Sequence, residues 1–319
     1  MPRLTRILAA FLAALLSGAA AAQYPNKPIR LIVPFPPGGA AELGARIFAQ
    51  PLAQALGQAV IIDTRPGADG AIAAEMTMRA APDGYTLFYA TNTAFSWVPA
   101  VRKSPPYDPV ADFTPVSLIG QFGFFLFSHP SVPAGTMAEL LAHIRANPGK
   151  LNYGSGNSTS MLSTAQLVLQ EKLDVVHIPY KGDGPLSVDL LGGRVQFAIA
   201  TPGSAAPQVR EGKLRVLATL LPNRSPLLPQ APTMAEAGMR ELSITPWGGV
   251  FGPAKMPPEI TERVSRELAA VLKRPEVREA FEKLAFEPRS STPQELSAFV
   301  KEQVKIWRRI VSEVGIKPE

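Results

Sequence analysis

Apolar runs of strand length, each followed closely by a helical stripe, recur along most of this 319-residue chain and limit what it can fold into. Ile29–Phe35 (IRLIVPF), Ala59–Arg65 (AVIIDTR) and Tyr85–Thr91 (YTLFYAT) are such runs. Between the first two, Leu43, Ile47, Leu52 and Leu56 recur at roughly helical spacing until Gly57 stops them. GADGAIAAEMTMRAAPDG then reads as turn, helix and stop. Strands and helices alternating over short loops predict a parallel sheet covered on both faces. A second block of the same kind begins near Phe122: FGFFLFSH, LNYGS, DVVHIP, QFAIAT and LRVLATL read as strands, with helices between them. After Thr245 the pattern turns helical. Pro257-Pro258 open a helix carrying Ile260, Val264, Leu268 and Val271, and RPEVREAFEKL is a further one. Thr292 with Glu295 forms a capping box before a stripe of Leu296, Phe299, Val300, Val304, Trp307 and Val311. Such a terminal run of helices is expected to pack back on an earlier domain.

Composition narrows the class. With 46% apolar and 18% charged residues the chain can bury a substantial core. Residues 1–22 read as a cleaved signal peptide: Arg3 and Arg6 form the positive region, Ile7–Leu16 the short apolar region, and Ala20-Ala21-Ala22 the cleavage site. No Cys follows, which excludes a lipid-anchored form, and no later segment reaches transmembrane length. The expected product is a soluble periplasmic protein. Losing Arg3 and Arg6 lowers the formal charge from +6 to +4, and no basic run stands out, so no nucleic-acid partner is expected. The chain has no cysteine, which rules out disulfides and thiol chemistry.

The residues that could bind a ligand sit at strand ends. Gly38-Gly39 lies between the first strand and a helix beginning near Ala40, where a tight turn and unpaired N–H groups suit an anion. The same glycines also serve a plain turn, and Glu42 in the first helical turn is as well explained by the helix dipole as by a ligand. Gly154–Ser160 is a second Gly/Ser loop before a helix; its hydroxyls and amides can donate to an oxyanion, or simply cap. Thr91, Asn92 and Thr93 end the third strand, and Tyr180 and Lys181 end another. His129, His143 and His177 are dispersed without metal spacing, and there is no nucleophile elbow, phosphate-binding Lys loop or dinucleotide fingerprint. Many donors and few catalytic groups favour a binder over an enzyme.

Taken in order, YPNKPIRLIVPFPPGG, RPGADG, AAPDGYTL, IPYKG, LLGGRV, GKLRVLAT, PQAPTMAEAG and the C-terminal PPEITERV, LKRPEVREAF and STPQELSAFVKEQVKIW resemble the Bug family. These are the extracytoplasmic solute-binding proteins of tripartite tricarboxylate transporters. The resemblance spans the whole chain after the leader. It implies an α/β fold of the type II periplasmic binding-protein class, with two lobes, a ligand cleft between them and two hinge crossings, near Phe122–Phe127 and Thr245–Phe251. Lobe 1 would be 23–122 and 250–319, and lobe 2 would be 123–249. It implies a small organic acid as ligand (mono-, di- or tricarboxylate, aromatic ones included), no cofactor, no metal and no catalytic residue.

Carried over position by position, the family's ligand loop falls on Phe35, Pro37, Gly38, Gly39, Ala40, Ala41 and Glu42, with Thr91 and Thr93 at a strand end. In the second lobe it falls on Ser155, Gly156, Asn157, Ser158 and Thr159, with Tyr180 and Lys181 at a corner. Ala41 and Glu42 stand where the family often reads Thr-Asp, and Met161 where it often has His. The leading expectation is a monomeric receptor serving integral membrane transporter subunits. A receptor docking on a signalling partner is the alternative, and a secreted hydrolase the third.

Overall fold

The structure, a computed structural model, describes residues 24–203, 205–244 and 246–318. The expected signal peptide, residues 1–22, lies outside them. The first sheet is built from β1 (Ile29–Val33), β2 (Val60–Thr64), β3 (Thr86–Thr91), β4 (Phe113–Phe122), β10 (Trp247–Pro253) and β11 (Phe286–Pro288), in the order β2-β1-β3-β10-β4-β11. β1 runs parallel to β2 and β3, while β10 is antiparallel to β3 and β4. The second sheet holds β5 (Phe125–Ser128), β6 (Asn152–Ser155), β7 (Val176–Pro179), β8 (Phe197–Ala200) and β9 (Arg215–Thr219), ordered β7-β6-β8-β5-β9. Here too the parallel strands are β6, β7 and β8, and the antiparallel insert is β5. In each sheet the inserted strand is the first one met after the chain arrives from the other sheet. Apart from β11, the two sheets therefore share one topology and exchange one crossing each.

Helices cover both faces of each sheet. α1 (Ala40–Leu56), α8 (Pro258–Val271) and α9 (Pro275–Glu282) cover one face of the first, burying Phe48, Leu52, Val264, Leu268 and Phe281 with Tyr89. α2 (Ala71–Met78), a π-helical turn over Thr93–Trp97 and α10 (Pro293–Glu313) cover the other, around Phe88, Phe95, Trp247 and Phe251. Phe95 meets Phe113 and Phe251 at ring-centroid distances of 4.7 Å; truncating such a ring costs about 3–5 kcal/mol. The second sheet carries α4 (Met137–Ala146) and α5 (Ser158–Glu171) on one face and α6 (Asp183–Leu191) with α7 (Ala205–Arg210) on the other. α3 (Val98–Val101) continues the π-helical turn. The C-terminal helices do pack back, on the first lobe. α10 also reaches across: Trp307, Ile310 and Val311 share a cluster with Leu162 of α5 and with Ile244.

The sequence did not reveal β4. Its apolar run is interrupted by Pro115, Ser117 and Gly120, and its pairing with β10 shifts register twice, once at the pair Phe251–Pro115. A proline is tolerated in a strand at such an irregularity. Of Thr245–Phe251, expected as the second crossing, Trp247–Phe251 are already paired with β3 and β4, so passage from the second sheet occupies the segment between β9 and β10. Trp247, Gly248 and Gly249 thus lie in the first sheet, ahead of the expected division at residue 250. The two crossing segments touch where the Phe122 N–H donates to the Pro246 carbonyl at 2.8 Å.

Candidate functional site

The loops that leave the carboxyl ends of β1, β3, β6 and β8 converge on a cleft of about 740 Å³ between the lobes. Ligands collect at this edge of α/β sheets.

The first wall is the turn from β1 into α1. Gly38 has φ +84°, a left-handed conformation that a glycine adopts without strain. Its N–H donates to Glu42 Oε2 at 3.0 Å, and the Gly39 N–H leans on the Pro36 carbonyl at 3.4 Å. Gly39 is the N-cap and supplies no side-chain cap. The donors left over are therefore the N–H groups of Ala40, Ala41 and Glu42, which open the helix and have no backbone acceptor among the described residues. Glu42 is 1% exposed; one oxygen holds Gly38 and the other lies against the Arg46 guanidinium. Its carboxylate serves the loop.

Behind this turn Thr91 is 3% exposed, and its Oγ1 has no hydrogen-bond partner among the described residues. Burying a hydroxyl unsatisfied costs about 1–3 kcal/mol. Next to it, buried Asn92 uses both ends of its amide. Oδ1 accepts from Trp247 N–H on β10 at 3.3 Å, and Nδ2 donates across the cleft to Thr159 Oγ1 at 2.7 Å. Thr93 and Ser158 hydroxyls approach to 3.4 Å beside that bond.

The second wall is the turn from β6 into α5. Asn157 and Ser160 cap one another: the Ser160 N–H donates to Asn157 Oδ1 at 2.9 Å, and the Gly156 and Asn157 N–H groups donate to Ser160 Oγ at 3.1 and 3.2 Å. Asp183, first residue of α6, ties this turn to the end of β8. Its Oδ1 accepts from Asn157 Nδ2 at 3.0 Å, and its Oδ2 accepts from the Thr201 N–H and hydroxyl at 3.2 and 2.6 Å.

Of the residues singled out in the sequence, Phe35, Gly38, Gly39, Ala40, Ala41, Thr91, Thr93, Gly156, Asn157 and Thr159 line the cleft. Pro37, Glu42, Ser155, Ser158, Tyr180 and Lys181 are outside its lining. Ser155 Oγ is bonded to His177 Nε2 at 2.7 Å, and His177 stacks on Tyr153. Burial holds the His177 imidazole below its usual pKa. The Tyr180 hydroxyl donates to Asp189 at 2.8 Å; burial first, then that carboxylate, push its pKa up to about 12. Lys181 is exposed.

The lining also includes Asn92, Asp183, Thr201, Arg210 and Lys283, and the apolar Phe122, Phe124, Leu227 and Leu284. Thr201 could have been found, since it ends an apolar run like Thr91. Asp183 follows the PYKG corner directly. Arg210 and Lys283 end helices in segments with no loop signal.

Residues 44–316 match the tripartite tricarboxylate transporter family receptor, most of the chain. The chain belongs to that family. It is 35% identical to Protein BugT of Bordetella pertussis across 99% of both chains. Its fold is similar to that of Rpa4515 of R. palustris, solved with adipate, with 32% identity, a TM-score of 0.82, and 93% of this chain and 100% of that one covered. MatC of Rhodopseudomonas palustris, solved with bound malate, is 28% identical with a TM-score of 0.74, over 90% of this chain and 100% of that one. The tricarboxylate transporter receptors are solute receptors rather than enzymes, as the thin catalytic inventory of the sequence suggested. Among the described residues no helix is long and apolar enough to cross a membrane.

Proposed function

We propose that this receptor is exported to the periplasm, captures a small organic carboxylate in the interlobe cleft and presents the closed form to the membrane subunits of a transporter. The buried, unpartnered hydroxyl of Thr91, in the same cleft lining as Ala40 and Ala41 with their open N–H groups, carries the reading. A carboxylate oxygen there would accept from all three, against the positive end of the α1 dipole and without a basic side chain. Glu42 neutralises part of that dipole, but Arg46 offsets its charge. Thr159, Asn157 and Gly156 would meet the ligand from the second lobe, so that the bound acid joins both walls and favours the closed form. The carboxylates in the Rpa4515 and MatC structures support the ligand class.

A thermal-shift screen of the mature protein against mono-, di- and tricarboxylates, aromatic acids and acidic amino acids tests this. A ligand at a hundred times its Kd adds about 2.7 kcal/mol, enough to raise Tm by roughly 5–10 °C. A Cβ at Gly39 would meet only the Pro36 carbonyl, at 3.5 Å, so the position has room for a branched side chain to begin, and Gly39→Val probes the cleft. Loss of the shift in this variant is the expected result; an unchanged affinity would remove the carboxylate from this turn.

A further inference from the structure

A second cavity, of about 250 Å³, lies at the crossings, and its lining comes from both lobes. Gln121 near the end of β4 and Arg289 just past β11 belong to the first lobe. Leu221, Ala235 and Glu241 belong to the segment between β9 and β10, which packs Leu228, Ala231 and Met234 into the second lobe. Side chains alternate in direction along an extended chain. Gln121 lines this cavity, while Phe122 and Phe124, which follow it into the crossing, line the cleft. The cavity and the cleft therefore lie on opposite faces of the same crossing.

That placement couples the two. Lobes that turn as rigid bodies about the crossing cannot widen one hollow without narrowing the other. The lobes already meet across the cleft, where Asn92 Nδ2 donates to Thr159 Oγ1 at 2.7 Å. Opening the cleft would break that bond and narrow the cavity behind. The rear has a tie of its own between the lobes: Asn223 Nδ2 donates to Glu287 Oε1 at 3.3 Å. Glu287 is the strand partner of Gln121, so the two side chains emerge on the same face, that of the cavity. A side chain wedged into the cavity, or a repulsion put in place of this tie, would oppose the narrowing and so oppose opening.

We propose that the rear cavity sets the balance between open and closed forms, so that filling it holds the receptor closed and raises the affinity of a cleft it does not touch. The effect on affinity rests on the reading that the cleft captures a carboxylate by closing; the effect on shape does not. A receptor whose closed form holds about a tenth of the ligand-free population binds about tenfold more weakly than one already closed. The wedge also slows entry, because the ligand reaches the cleft only while it is open. Tighter binding with slower association is the signature of this device, and dissociation slows by more than the affinity gains.

Ala235 is exposed and lines the cavity, so Ala235→Trp adds an indole there without removing a buried side chain. The first readout is X-ray scattering of the ligand-free protein. Ala235→Trp should have a smaller radius of gyration than the wild type, and Ala235→Ser, which fills nothing, should match the wild type. Asn223→Asp sets a second carboxylate against Glu287 and should shift the radius in the same direction by less. The second readout is calorimetry and stopped-flow mixing with adipate and with malate, where Ala235→Trp should bind about tenfold tighter and associate more slowly. A folded Ala235→Trp with a radius equal to or above that of the wild type overturns the proposal. Should that variant not fold, the same result in Asn223→Asp overturns it. A smaller radius with unchanged affinity removes the coupling to the cleft. A smaller radius with neither acid bound by the wild type leaves the wedge standing and removes the carboxylate reading.

Discussion

On the first lobe the turn into α1 ends in Gly39, which has no side chain to cap with, and the helix leaves the N–H groups of Ala40, Ala41 and Glu42 without a backbone acceptor among the described residues. On the second lobe the turn into α5 is closed by its own side chains: Asn157 and Ser160 satisfy one another, and Asp183 clamps the turn to Thr201. Both walls keep helix-opening N–H groups without a backbone acceptor among the described residues, those of Ala40, Ala41 and Glu42 on the first and of Ser158 and Thr159 on the second, but only the second wall is braced by its own side chains. The first wall is suited to recognising a charge. The second is suited to holding its shape.

The comparison breaks most visibly at the glycines. A Cβ at Gly156 would lie 2.2 Å from Asp183 Oδ1 and 2.7 Å from backbone atoms of Gly182 and Asp183, whereas one at Gly39 meets nothing closer than 3.5 Å. Gly156→Ala should therefore cost about 2–3 kcal/mol of overpacking strain and several degrees in Tm. Gly39→Ala should stay within about 1 kcal/mol of wild type. Differential scanning calorimetry decides it, and equal losses would mean that the walls are not unequal in stiffness.

Next in size is the bond that joins the walls. Asn92→Ala removes the donor to Thr159 and the acceptor of Trp247 N–H, a loss of about 1–3 kcal/mol. Part of this should appear as opening: the ligand-free variant should show a larger radius of gyration by X-ray scattering than the wild type. Unchanged scattering would assign Asn92 to holding β10 alone.

The smallest effect is one of pH and belongs to the stiff wall. Burial lowers the His177 pKa, so the folded state favours the neutral ring that bonds Ser155 at the base of the turn. The unfolded chain binds the proton more readily, so this contribution is complete above the ordinary histidine pKa of about 6.5 and fades as pH falls through the lowered folded value. Denaturant melts between pH 8 and pH 5 should lose stability in that direction, and His177→Gln should flatten the slope. A slope that persists in the variant belongs to other groups.

Much of the architecture could be read from alternation and caps. Thr292 and Glu295 form the expected box, with Glu295 N–H bonded to Thr292 Oγ1 at 3.2 Å and Thr292 N–H to Glu295 Oε2 at 2.8 Å. Both Gly-rich turns lie at strand ends, where such ligand loops belong. β4 was hidden because a proline and two register shifts erase a strand's periodicity. The role of Glu42 was open because an acid in a first turn suits either reading, and only the bond back to Gly38 separates them. Asp183, Arg210 and Lys283 were hidden for another reason. They are far apart along the chain, and their relation to the cleft exists only once both crossings are made.

The seam formed by Trp307, Ile310, Val311 and Leu162 has a practical consequence. All three tryptophans of the chain lie near the junction of the lobes: Trp97 edge-on to Trp307 at 6.4 Å, Trp307 within the seam, and Trp247 bonded through its backbone to Asn92. Any swing of α5 changes the polarity around two indoles and their mutual coupling. The proposed closure would thus carry its own optical gauge. Emission wavelength should follow ligand titrations without a dye, and the absence of cysteine leaves every position open to a single engineered label for calibrating the signal.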